Sequence, residues 1–176
     1  MTISSYQDQT QILVAVDCII FGFDEDELKI LLIKRNFEPL KGKWSLMGGF
    51  LKPDETAEEA ADRVLQSLTG LHDVYMEQVH TYTRPDRDPV ERTISISYYA
   101  LINIEDHNEE LTKQYSAQWF SLNEAPELIF DHQQIVQHAI SRLRYKTSVQ
   151  PIGFELLPEK FTMRQLQKLY ETILNE

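Results

Sequence analysis

The segment that most constrains the fold is a glycine turn that feeds directly into a helix. Trp44-Ser45-Leu46-Met47-Gly48-Gly49-Phe50 leads through Asp54 and Glu55 into residues 57–68, and Gly70 follows. A short strand ending in paired glycines lets backbones approach closely, Asp54 is the expected N-cap, and Gly70 is the expected left-handed stop. On this helix Ala57, Ala60, Ala61, Val64 and Leu68 share one face, so the face is apolar and reads as a packing surface or pocket wall, with Ser67 as its only oxygen. Glu55 is expected in the first helical turn, where a carboxylate suits the macrodipole, and Arg63 is expected to tie down the following loop. Glu59 and Arg63, four apart, read as a solvated pair.

Around this core the pattern alternates between strand and helix. Residues 12–23 form a β-rich apolar run, an acidic turn occupies 24–27, and 28–35 completes a hairpin. Residues 74–82 and 92–101 read as strands separated by the charged loop Arg84-Pro85-Asp86-Arg87-Asp88-Pro89, and 117–120 as a further strand. A helix is expected over 133–145, with Ile135, Val136, Ala139, Ile140 and Leu143 at helical spacing. From Lys146 the character changes: 147–153 reads as a connection and 154–161 as an apolar anchor. Thr162 and Gln165 form a capping box ahead of an apolar stripe made by Met163, Leu166, Leu169, Tyr170, Ile173 and Leu174. That stripe must bury itself either on the main domain or on further helices of its own module. The expected organisation is an α+β domain over 1–146 and a second module beginning over 147–176.

Composition narrows the function classes. With 176 residues, 42% hydrophobic and 26% charged, the chain suits one well-buried domain plus a small addition. It contains no apolar run of about 18 residues for a membrane span, and its first residues lack the basic and apolar regions of a signal peptide, so cytoplasmic residence is expected. Cys18, the single cysteine, lies in the apolar run and is expected to pack in the core. The formal charge of −11 argues against a general grip on nucleic acid without excluding a local basic patch.

Gly49, Glu55, Arg63, Leu65, Gly70 and Leu71 stand in the register of the Nudix box. Together with the Arg87-Asp88-Pro89 loop, Phe130-Asp131-His132 and the run from Pro151-Ile152-Gly153-Phe154 to Lys160-Phe161-Thr162, they make nearly the whole chain resemble the Nudix-related transcriptional regulators. The resemblance implies a Nudix-like α/β/α sandwich with a mixed sheet, plus the start of a C-terminal winged-helix module. It also implies a sensor for ADP-ribose or a sugar such as L-arabinose, and operator binding as a homodimer. In the hydrolases of the family, glutamates at the positions of Val64, Ser67 and Leu68 hold Mg²⁺ or Mn²⁺. Such cations need oxygen ligands, so no catalytic residue, metal or cofactor is expected here, and Gly49, Glu55, Arg63 and Gly70 remain as structural box residues. By the same resemblance 161–175 is the first helix of the winged domain, a helix that supports the recognition helix. At most Lys160, Arg164 or Lys168 would touch DNA backbone, and the alternative is a solvated face.

The candidate ligand residues near the box and on the loop facing it are Arg35, Trp44, Arg87, Asp88, Glu91 and Arg92. Each has a plain alternative: a solvated strand end for Arg35, core packing for Trp44, and internal ion pairs for the loop. His80, His107, His132 and His138 are too scattered to suggest a metal site, and His72 reads as an ordinary loop residue. Losing the acids removes a metal bridge to a diphosphate, which shifts the expected effector from ADP-ribose towards a neutral sugar. The competing readings are a Nudix hydrolase with metal ligands outside the box, which Mg²⁺-dependent turnover would reveal, and a pure interaction domain.

Overall fold

A computed structural model describes residues 5–24, 27–107 and 109–175. Among the described residues seven strands form one mixed sheet: β1 (Leu13–Asp24), β2 (Glu27–Lys34), β3 (Trp44–Ser45), β4 (Met47–Phe50), β5 (Tyr75–Tyr82), β6 (Thr93–Asn103) and β7 (Ala117–Ser121). The main order is β3-β2-β1-β6-β5, with β4 paired to β1 and β7 to β2. Only β1 and β6 run parallel, in register from Leu13↔Thr93 to Phe23↔Asn103. The expected hairpin of β1 and β2 forms, although residues 25 and 26 of its acidic turn lie outside the described residues.

The central strand explains the layers. Along β1 successive side chains point to opposite faces: Val16, Cys18 and Ile20 meet α1 (Ala57–Thr69), while Ile19, Phe21 and Phe23 meet α3 (His132–Val149). Cys18 is buried and free, as packing in an apolar strand suggests, and burial raises its thiol pKa. Burial on both faces makes β1 a near-continuous apolar run. The apolar stripe of α4 (Met163–Leu174) packs on the main domain: Leu169 and Ile173 join the α3-side core, and the Arg144 Nε donates to the Ile173 carbonyl at 2.9 Å. Met163, at the end of that stripe, is exposed. No helix among the described residues is long and apolar enough to cross a membrane.

Several local expectations are corrected. The α1 cap is Thr56, not Asp54, because the Thr56 hydroxyl accepts from Glu59 N while Glu59 reaches back to Thr56 N. That engages Glu59, so Arg63 turns to Glu55, which lies before the helix, and to the Phe50 carbonyl, tying the preceding loop. Gly70 is the left-handed stop, with φ 74°. The expected strand over 44–50 breaks at Leu46 because Trp44–Ser45 pairs with β2 and Met47–Phe50 with β1. α3 runs to Val149, past the expected end at 145, since the buried row Ile135, Ala139, Leu143 continues through Thr147. α2 (Glu109–Gln114) was not expected; its six residues carry too short a pattern. The Thr162–Gln165 capping box forms as read.

Candidate functional site

One acid interrupts the apolar β1, and the site grows from what that acid requires. Asp17 points to the α3 side and is 7% exposed, so its carboxylate needs partners. Ser95 Oγ on β6 donates to its Oδ2 at 2.5 Å, and Arg87 Nη2, from the loop between β5 and β6, approaches to 3.4 Å. Arg87 is itself 6% exposed and forks onto Asp131, Nε to Oδ2 and Nη2 to Oδ1, both at 2.8 Å. Asp131 is the N-cap residue of α3 but caps with no side-chain bond, since Arg87 occupies both oxygens. A carboxylate there also faces the positive end of the helix dipole.

His132 closes the network. Its Nδ1 accepts the Leu46 N–H at 3.1 Å, which assigns the ring proton to Nε2, 3.8 Å from Asp17 Oδ1. Burial pushes its pKa down, against the pull of Asp17 and Asp131, so the ring is neutral at pH 7. Gly48 is required for close approach, because a Cβ there would stand 2.7 Å from Asp17 Oδ1 and 2.9 Å from the Val16 carbonyl.

Above this polar floor opens a cavity of about 320 Å³. Arg35 forms one wall, with its guanidinium 3.7 Å over the Phe37 ring and 5.5 Å from Phe130. The loop that brings Phe37 back is pinned by Arg35 N to the Lys43 carbonyl and Gly42 N to the Arg35 carbonyl. Arg35 Nε is buried with no hydrogen-bond partner, and burial lowers this guanidinium's pKa while Asp88 and Glu38 oppose the shift. A cation, two aromatic faces and a floor of fixed donors and acceptors suit a ligand that is both anionic and aromatic.

Arg35, Arg87 and Asp88 from the sequence reading line this cavity, whereas Trp44, Glu91 and Arg92 do not. Trp44 adjoins the lining residue Ser45 on β3, and neighbours on a strand face opposite ways; it packs edge-on against Phe120 instead. Glu91 is exposed, and Arg92 Nη1 donates to the Arg84 carbonyl. Residue-by-residue reading missed Phe37, Phe130, Asp17 and His132 in the lining and Ser95 and Asp131 behind it. The available signal was a single acid inside an otherwise apolar strand. Of the cations considered for DNA, Lys160 and Arg164 are exposed and Lys168 is half-buried in the groove between α3 and α4.

The box helix presents a different surface. Val64 and Leu68 are buried in the core beside Ala60 and Ala61, and Ser67 Oγ donates to the Val64 carbonyl at 2.8 Å. Gly49 lies against this helix, where its own Cβ would stand 3.0 Å from Val64 Cγ2. Both Glu55 oxygens are taken by Arg63, whose hydrogen bond holds the carboxylate down at about 2.

Known proteins resemble this chain in sequence and fold. The NUDIX domain family matches residues 12–141, and the NrtR DNA-binding winged helix domain matches residues 153–176. The ADPR responsive transcriptional repressor NtrR of Acinetobacter baylyi is 36% identical over 98% of this chain and 71% of its own length. An ADP-ribose pyrophosphatase of Methanocaldococcus jannaschii is 42% identical over 70% of each chain. Shewanella oneidensis NrtR, solved with a 27mer DNA, superposes with a TM-score of 0.86 at 29% identity, covering 93% of this chain and 76% of that one. Its NUDIX domain, solved with ADP ribose, superposes at 0.62 with 27% identity, covering 79% and 93%. This chain therefore belongs to the NUDIX family, among the transcriptional regulators that join a NUDIX domain to an NrtR-type winged helix.

Proposed function

We propose that the chain is the sensor of an ADP-ribose responsive transcriptional repressor and does not hydrolyse its effector. The observation that carries this reading is Arg35, held between Phe37 and Phe130 with Nε unpartnered, above the floor of Asp17, Arg87 and His132. The sugar expectation assumed that a diphosphate needs a metal bridge. The cavity instead offers its own cations beside aromatic faces, and the relatives respond to or were solved with ADP-ribose; none supports L-arabinose. The donors at the box do not fit a bridging divalent cation. Val64 and Leu68 have no oxygen and are buried, Ser67 is hydrogen-bonded to its own helix, and Glu55 is committed to Arg63.

In this proposal 1–146 is the sensing domain and 147–176 the connection and first winged-helix segment, acting in a cytoplasmic homodimer on operator DNA. α3 joins the two: its N-terminus carries Asp131 and His132 of the cavity floor, and its C-terminal half holds α4 through Arg144. An effector that binds one arrangement of this helix better shifts the population towards it. Lys160 and Arg164 are the exposed residues suited to a backbone phosphate.

The hydrolase reading keeps one specific support, the 42% identity to an ADP-ribose pyrophosphatase. Calorimetry with ADP-ribose in EDTA, paired with assay for AMP and ribose 5-phosphate in Mn²⁺, separates the two. Saturable binding in EDTA without product supports the sensor. Turnover, or binding that requires the metal, overturns it, and a response to L-arabinose alone would restore the sugar.

A further inference from the structure

A second concave site shares Phe130 with the effector cavity but not Arg35. It has a volume of about 660 Å³ and is lined by Lys34, Leu40, Lys43, Trp44, Pro126 and Phe130, among others. Its charge runs against the acidic average of the chain. The chain carries 28 acidic residues against 17 lysines and arginines, whereas Lys34 and Lys43 line this groove against the single acid Glu127. Arg35 turns to the effector cavity, and Lys34, the last residue of β2, turns to this groove. Lys34 Nζ lies 5.0 Å from the Trp44 ring centroid. Among the described residues, none of Lys34, Lys41 and Lys43 has a carboxylate within ion-pairing distance. Glu127 is the one carboxylate on the groove.

The backbone beneath is built. Trp44 pairs with Lys34 across β2 and β3, bridges to Leu128, and its carbonyl accepts from Ile129 N at 3.1 Å. Two lysines therefore flank a fixed apolar bed of Trp44, Pro126 and Phe130. Such a bed takes a planar ring, and the flanking ammonium groups take an anion.

We propose that this groove is a second ligand site, for a mononucleotide whose base lies on the Trp44–Phe130 bed and whose phosphate sits between Lys34 and Lys43. Nucleic acid is the less suitable occupant. Lys34 ends β2, whose first residue Glu27 lines the groove beside α4, so the site lies about 20 Å along the strand from the winged-helix segment.

AMP titrated by calorimetry into the chain presaturated with ADP-ribose tests the site. The expected result is saturable binding, with ribose 5-phosphate at least tenfold weaker because it lacks the base. The Lys34→Gln/Lys43→Gln variant should weaken AMP tenfold or more while its ADP-ribose affinity stays within twofold. Both lysines are exposed, and matched thermal unfolding checks that the variant folds. Absence of a second saturable event, or AMP binding insensitive to both lysines but lost in Arg35→Ala, overturns the proposal. Tighter binding of an oligonucleotide than of AMP also overturns it. If ADP-ribose itself does not bind, the same titration without it still gives a lysine-dependent result, so the two proposals fail separately.

Discussion

The two helices that sandwich the sheet treat polarity in opposite ways. α1, where the hydrolases of this family hold their metal, has Val64 and Leu68 sealed into the core. α3 begins with a buried charged cluster, Asp131 and His132 joined to Arg87 and Asp17. Polar groups away from water persist only when partnered. The difference separates the two faces: α1 packs on the sheet and against Gly49, while α3 connects a polar cavity floor to α4.

That contrast can be broken from either side. Arg87→Ala should have the largest effect, on the order of 4 kcal/mol, since it leaves two buried carboxylates without their cation. Urea unfolding measures it, and a loss under 1 kcal/mol would mean the cluster is not a buried network. On the other side Leu68→Ala should cost about 3 kcal/mol by opening a cavity in a fully buried position, with ADP-ribose affinity at 25 °C unchanged. A large affinity loss would return the box helix to the binding site.

Two smaller effects depend on pH. The folded site resists protonation of His132, whereas the unfolded imidazole takes a proton near 6.5. Its contribution is thus complete above about pH 6.5 and lost as pH falls below, with a slope of at most about 1.4 kcal/mol per unit. His132→Asn should flatten the stability profile between pH 6.5 and 5, and an unchanged slope would remove His132 from the cluster's electrostatics. The smallest effect belongs to Glu55, whose folded pKa of about 2 lies below its ordinary 4.5. Its stabilisation is present above 4.5 and fades as pH drops towards 2, so Glu55→Gln should make the acid limb of the Tm profile shallower. An identical limb would show that the Arg63 bond adds nothing to the box loop.

Much of the frame was legible from sequence. Gly70 stops α1, the 12–23 run is the central strand, and Thr162 caps α4, because each is set by local rules of φ, period or hydrogen bonding. Reading failed where partners come from far along the chain. Glu59 read as the partner of Arg63, but the cap made by Thr56 had already engaged it. Of the candidates chosen as a neighbourhood, Arg35, Arg87 and Asp88 meet one cavity, while Trp44 faces the other groove. Proximity to the box says nothing about which way a strand residue points.

By itself the sequence determined the apolar run of β1, the left-handed stop at Gly70, the absence of carboxylates at 64, 67 and 68, and the amphipathic stripe of α4. These follow from residue type and spacing within a few turns or strand repeats. Only the tertiary structure decided that Asp17, Ser95, Arg87, Asp131 and His132, spread over more than a hundred positions, share one buried cluster. It also decided that the α4 stripe lies against the α3 side of the main core. Long-range pairing is fixed by strand register and by helix packing across the sheet. Neither leaves a local signature, because the parallel β1–β6 pairing and the N-terminus of α3 exist only once the whole sheet has closed around them.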